Sequence, residues 1–237
     1  MKNKRILLVE DEKHIGEAIE LNLKTEGFEV VWVEDGQSAL ETYRQSRFDL
    51  IILDIMLPTV GGLEVCRRIR AELGTEPIMF LTALDTLDDK KEGLAIGGDD
   101  YITKPFDIEE LLLRIAAIFR RQAWLRADDT ENDLYRFNGG TVDFREYKAE
   151  GDGGSVHLTN KEALLLKFFV QHPGEILSRN MILDAVWGYS AYPSTRTIDN
   201  FVLRYRKIFE PDPARPIYFH TEFGTGYKFT PEGRTDE

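Results

Sequence analysis

Ile6-Leu7-Leu8-Val9-Glu10-Asp11-Glu12 is an apolar run that stops abruptly in three acids. It is too short to be the apolar region of a signal peptide, despite the basic Met1-Lys2-Asn3-Lys4-Arg5 ahead of it. Its length suits a buried strand that delivers carboxylates at its carboxyl end. The same arrangement returns downstream, at Phe28 to Val33, at Leu50 to Leu53 before Asp54, at Ile78 to Leu81 before Thr82, and more weakly at Tyr101-Ile102 before Thr103-Lys104. Segments of helical period separate these runs, at roughly 13 to 26, 36 to 46, 62 to 73 and 86 to 97, with a fifth at 107 to 121. Short apolar strands alternating with helices make a parallel sheet with crossover helices, a doubly wound α/β domain.

In such a sheet ligands sit at the carboxyl ends of the strands, where the strand order reverses. Glu10 and Asp11 end the first strand and Asp54 ends the third, so in a flavodoxin-like order these carboxylates converge. Taken singly, each acid is more simply a helix cap or a turn residue. Their co-occurrence with Thr82 after the fourth strand and Lys104 after the fifth decides otherwise, because acids, a hydroxyl and an ammonium at one level compose a phosphate site. Clustered carboxylates repel, and a hard oxygen-seeking cation such as Mg2+ is the fitting neutraliser. The set suits phosphoryl transfer onto Asp54, whose carboxylate attacks an in-line phosphorus while Mg2+ and Lys104 neutralise the equatorial oxygens. No Walker A sequence occurs, and Gly224-Thr225-Gly226 lacks the third glycine of a dinucleotide loop.

Beyond Arg120-Arg121 the polar stretch Arg126 to Asp133 has no periodic apolar face, so the expected organisation is a first domain over 1–121, a linker over 122–133 and a second domain over 134–232. Residues 134 to 158 show short alternating runs broken by Gly139-Gly140 and Gly151-Asp152-Gly153-Gly154, a small antiparallel sheet. Helical segments follow at about 161 to 171, 178 to 187 and 195 to 209. Thr159 and Glu162 form a capping box before the first of them. Ile217 to Phe229 reads as a hairpin around Gly224-Thr225-Gly226.

With 42% hydrophobic and 30% charged residues among 237, the chain is a globular protein long enough for two cores. The single cysteine, Cys66, fits a reducing compartment, and no window approaches a membrane span, so a cytoplasmic location with no membrane partner is expected. The net charge of −12 argues against wholesale nucleic-acid binding. Up to Ala123 there are 16 basic and 24 acidic residues, and beyond it 14 and 18, so both halves are acidic and any DNA contact must be local. Cys66 reads as a small core residue.

Glu10-Asp11-Glu12, Leu53-Asp54-Ile55-Met56-Leu57-Pro58, Leu81-Thr82-Ala83 and Asp99-Asp100-Tyr101-Ile102-Thr103-Lys104-Pro105-Phe106 together resemble the receiver domain of two-component response regulators, over residues 5 to 121. The resemblance implies that Asp11, Asp54 and the Met56 carbonyl bind Mg2+ directly, with Glu10 acting through water. It implies that Asp54 is phosphorylated by a sensor histidine kinase, that Thr82 and Tyr101 form the switch, and that the Lys104-Pro105 bond is cis. It also implies pairing of activated receivers through their fourth and fifth helices, by Lys90 with Glu110, Asp99 with Arg114 and Asp100 with Arg121. A further pair frequent in relatives is missing, since Ala95 and Ala116 stand there.

Leu158-Thr159-Asn160-Lys161-Glu162, Leu177-Ser178-Arg179 through Ala185-Val186-Trp187-Gly188, Arg196-Thr197-Ile198-Asp199 and Gly224-Thr225-Gly226-Tyr227 resemble the OmpR/PhoB winged helix, from about 134 to 231. The implied fold is therefore a flavodoxin-like receiver followed by an α+β winged-helix DNA-binding domain. By that likeness the helix from Thr195 to Phe209 enters the major groove of promoter DNA and the terminal hairpin is the wing. Arg204 is expected at a base, and Arg196, Thr197 and Lys207 at phosphates. Glu222-Phe223 replaces the basic residue that often precedes the wing's Gly-x-Gly, and Phe201 and Leu203 stand where relatives are often polar or basic. The expected protein is a phosphorylation-controlled transcription factor rather than an enzyme, a homodimer when active, with RNA polymerase as a further partner. A Mg2+-dependent phosphohydrolase competes as a reading, but Met56 stands where a second acid would serve hydrolysis. A phosphorylation-independent DNA-binding factor is the third reading.

Overall fold

A computed structural model describes residues 3–82, 96–126, 134–188 and 195–233, in two units, Met1–Phe119 and Arg120–Glu237. The expected helix over 86 to 97, Lys90 within it and Ala95 fall outside the described residues apart from the last two positions of that span.

In the first unit β1 (Arg5–Val9), β2 (Glu29–Val33), β3 (Leu50–Asp54), β4 (Ile78–Thr82) and β5 (Asp100–Thr103) form one parallel sheet in the order β2-β1-β3-β4-β5. Helices α1 (Lys13–Thr25), α2 (Gly36–Gln45), α3 (Gly62–Ala71) and α4 (Ile108–Arg126) complete it. Successive side chains of a strand point to opposite faces, so each strand feeds two cores. Ile6, Leu8, Leu50, Ile52, Met79 and Leu81 pack with Ile19 and Leu23 of α1 and Ile115 of α4. Leu7, Val9, Ile51, Leu53, Ile78 and Phe80 pack with Ala39 and Leu40 of α2 and with Val65, Cys66 and Ile69 of α3. Covering on both faces explains why these strands read as unbroken apolar runs rather than alternating ones. It also places β1 beside β3, which brings their carboxyl ends together.

In the second unit β6 (Leu134–Phe137), β7 (Gly140–Asp143), β8 (Lys148–Gly151) and β9 (Gly154–His157) form an antiparallel sheet in chain order. Then come α5 (Asn160–Gln171), β10 (Ile176–Ser178), α6 (Arg179–Val186), α7 (Thr195–Phe209), β11 (Phe219–Glu222) and β12 (Gly226–Phe229). The last sheet has the order β10-β12-β11, a three-helix winged-helix arrangement with an aromatic core of Phe169, Tyr205, Phe209, Phe219 and Phe229. The capping box is present, with Thr159 accepting from the Glu162 N–H and Glu162 from the Thr159 N–H.

Two local features differ from the sequence reading. The expected linker over 122–133 begins too early, because α4 continues to Arg126. Leu125 is buried in the second core with Trp124 against it, and Lys167 donates to the carbonyls of Trp124 and Leu125 at 3.1 and 2.9 Å. Those carbonyls belong to the helix end, where no intrahelical partner exists. Residues 127–133 lie outside the described part. The short strand β10 was not foreseen as a strand; it is held by register pairs to β12 that include Leu177 with Tyr227. Among the described residues no helix is long and apolar enough to cross a membrane.

Candidate functional site

Glu10, Asp54 and Thr82 are all within 3% of complete burial at the carboxyl ends of β1, β3 and β4. Each is held there by backbone. Trp32 donates its indole N–H to the Glu10 carbonyl at 2.9 Å, and the ring reaches that position because residue 16 is glycine; a Cβ there would lie 2.2 Å from it. Asp54 Oδ1 accepts the Met56 N–H at 2.8 Å, and the Gly62 N–H returns to the Ile55 carbonyl at 3.0 Å, folding the intervening loop back on the strand end. Lys104 follows β5 with its N–H on the Thr82 carbonyl at 2.7 Å, and its bond to Pro105 is cis.

Lys104 Nζ lies 2.7 Å from Glu10 Oε1 and 3.3 Å from Glu12 Oε1, and it hydrogen-bonds Asp54 Oδ2. Burial pushes the Glu10 carboxyl up and the Asp54 charge adds to this, against the hydrogen bond from Lys104. For Lys104, burial disfavours the ammonium, but the hydrogen bonds to Asp54 and Glu10 outweigh it and hold the ammonium above its usual range. One carboxylate oxygen from each of Glu10, Glu12 and Asp54 lies within 4.8 Å of the others. Glu10 Oε2 is buried with no hydrogen-bond partner among the described residues. Three carboxylates against one ammonium, with an orphaned buried oxygen, form a donor set that fits a hard divalent cation.

Of the expected ligands, Glu10 and Asp54 come together, and Met56, 61% exposed, donates its N–H to Asp54. Asp11 is half-buried and does not belong to the close group; Glu12 does. Glu12 was given no ligand role from the sequence, yet at the N-cap of α1 its side chain makes no capping bond and faces Lys104 instead. The Glu10-Asp11-Glu12 run carried this signal without saying which acid turns inward. Tyr101, half-buried on β5, pairs in register with Phe80, and Thr82 with Thr103.

Of the residues expected at a receiver interface, Lys90 lies outside the described residues and the other five have partners within the chain. Asp99, 1% exposed, is 3.2 Å from the Arg70 guanidinium and accepts the Ile78 N–H at 2.9 Å. Arg114 contacts Asp100 at 3.1 Å and Glu110 at 2.7 Å. Arg121 is buried and donates to the Trp187 carbonyl at 2.9 Å.

On α7, Ile198, Val202, Tyr205 and Phe209 are buried and Tyr205 donates to the Glu162 carbonyl at 2.7 Å, which fixes the helix's inner face. Arg204 Nε lies 2.6 Å from the nearly buried Glu162 carboxylate, and its Nη2 donates to the His157 carbonyl at 3.2 Å. Arg206 is spent on the Phe219 carbonyl and the Thr221 hydroxyl. Lys207 is exposed, Thr197 half-buried, and the Arg196 side chain is outside the described residues. Asp199 accepts the Tyr227 hydroxyl and lies 3.4 Å from Arg179, whose guanidinium covers the Tyr227 ring at 4.9 Å. The Glu222–Gly226 hairpin carries Phe223 at its tip, 94% exposed.

Residues 6–116 match the family described as "Response regulator receiver domain", and residues 153–229 that described as "Transcriptional regulatory protein, C terminal". The structure of a RitR mutant is 28% identical, with 98% of this chain and 100% of that one covered at a TM-score of 0.76. Response regulator DrrB of Thermotoga maritima, titled an OmpR/PhoB homolog, is 31% identical, with 97% of this chain and 100% of that one covered at a TM-score of 0.51.

Proposed function

The chain belongs to the OmpR/PhoB family of DNA-binding two-component response regulators, and on that premise we propose that Asp54 is its phosphoacceptor, charged by the phosphohistidine of a sensor kinase. The observation that carries this is the contact of Lys104 with both Asp54 and Glu10 at neighbouring strand ends. An Asp54 carboxylate oxygen forms the new bond to phosphorus, the phosphorus–nitrogen bond breaks, and the imidazole nitrogen leaves with its electron pair. Lys104 then exchanges one carboxylate partner for a phosphoryl oxygen. Glu10, Asp54 and one of the acids Asp11 and Glu12, with the Met56 carbonyl, would hold Mg2+, which when bound neutralises charge on the phosphoryl oxygens.

Thr82, buried beside Asp54, is the hydroxyl that follows the phosphoryl group, and Tyr101 on the next strand turns inward behind it, a two-state change that the new charge biases. Receiver pairing through Lys90, Asp99, Asp100, Glu110, Arg114 and Arg121 requires Asp99, Asp100 and Arg121, buried here, to exchange partners within the chain for partners on a second receiver. Two winged helices are thereby delivered to adjacent half-sites in promoter DNA, with α7 in the major groove and Arg196, Thr197 and Lys207 at phosphates. The cytoplasm is the compartment where kinase, promoter and polymerase meet this chain. No side-chain acid or base stands at Met56 for rapid hydrolysis, which favours signalling over turnover. Footprinting with a small-molecule phosphodonor tests the switch: occupancy of the bound site is expected to rise for the wild type and not for Asp54→Ala, and equal occupancy of the two would refute it.

A further inference from the structure

The basic residue expected to read a base already has partners within its domain, with its side chain 48% exposed. Arg204 is held by Glu162, which also closes the capping box of α5, and Arg206 is held by β11. Asp199, the acid of this helix, accepts the Tyr227 hydroxyl and lies 3.4 Å from Arg179. Among the described residues α7 offers outward Asn200, Leu203 and Lys207, at spacings of three and four residues that stack on one side of an α-helix. Asn200 is exposed, Leu203 is 47% exposed, and among the described residues neither the Asn200 amide nor the Lys207 ammonium has a hydrogen bond or ion pair. Lys207 ends the stripe with a cation that suits a phosphate, while the rest of it is a neutral amide beside an aliphatic side chain.

The geometry points to Asn200 and Leu203 as the sequence-reading pair, Asn200 taking the N6 and N7 edge of an adenine and Leu203 the 5-methyl group of a thymine on a neighbouring base pair, in the major groove. The amide carries one acceptor and one donor group, the complement of that adenine edge, and an exposed isobutyl group complements a methyl rather than a polar edge. Residues three apart on a helix face have Cβ atoms about 5–6 Å apart, a span of one to two base-pair steps of about 3.4 Å each. The assignment rests on the DNA-binding reading above.

The test is selection from random-sequence duplexes by the full chain with phosphodonor and Mg2+, for wild type, Asn200→Ala and Leu203→Ala. Both substitutions are on the exposed stripe, so unchanged melting temperatures are expected and serve as the folding control. The wild type is expected to enrich an adenine next to a thymine-bearing pair. Asn200→Ala should lose roughly tenfold or more of the discrimination at the adenine. Replacing the enriched thymine by deoxyuridine should weaken the wild type by about fourfold and leave Leu203→Ala unaffected. Enrichment of one sequence by all three proteins with equal discrimination, or indifference of the wild type to deoxyuridine, overturns the pair while leaving DNA binding intact. No enrichment and no bound duplex for any of them overturns both.

Discussion

Cys66 shows how far a single side chain's behaviour follows from its surroundings. It lies on α3, fully buried between Val65 and Ile69 in one face of the sheet, with Sγ 3.8 Å from the Ile96 carbonyl. Burial pushes its thiol up to about 11 from 9.0. The folded chain is therefore the form that keeps the proton, and the thiol's contribution to stability is complete below about pH 9 and is lost as pH rises through 11. At pH 8 a thiol-reactive dye should label the native protein only as fast as it opens, and the urea-unfolded chain at once. Labelling of the native form at the unfolded rate would contradict this environment. Cys66, Asp54, Glu10 and Lys104 were legible at this scale because strand ends and helical period fix which way a residue points. Glu12 and Arg204 were not. The partner of Arg204, Glu162, is distant in sequence, and periodicity marks a residue as exposed without marking it as already paired.

Between elements, the acceptor's position depends on a close approach of backbone. At Gly62, the start of α3, a Cβ would lie 2.0 Å from the Asp54 carbonyl oxygen and 2.9 Å from its carbon, so the clash is with backbone rather than a side chain that could move aside. Gly62→Ala should push β3's end and α3 apart, destabilising by about 1–3 kcal/mol, seen as a lower urea midpoint, and slowing phosphorylation of Asp54 through its displaced carboxylate. An unchanged midpoint and rate would show that the strand end tolerates the shift. The strands, crossover helices and capping box were readable as periods of two and 3.6 and as cap chemistry. The tail of α4 was not, because Gln122 to Arg126 carries its apolar Trp124 and Leu125 consecutively, and its stabilising contacts come from the core around α5. β10, only three residues long, is set by its partner β12 rather than by any pattern of its own.

Across the whole molecule, a net charge of −12 is compatible with a DNA-binding role because contact with phosphates can be local rather than spread over the surface. The two-domain character and the gathering of Glu10, Asp54 and Lys104 were legible because receiver-type motifs recur in order at successive strand ends. The DNA contacts were less so, since whether a helix's charges serve fold or ligand is decided by three-dimensional partners. If Asp54 is the phosphoacceptor, one carboxylate takes the signal for the whole chain. Intact mass after incubation with a small-molecule phosphodonor and Mg2+ tests it most directly, for wild type, for Asp54→Ala and for wild type with chelator. A single phosphoryl group on the wild type, absent from the variant and from the chelated sample, is the predicted result; an adduct that persists in Asp54→Ala, or none on the wild type, would contradict it.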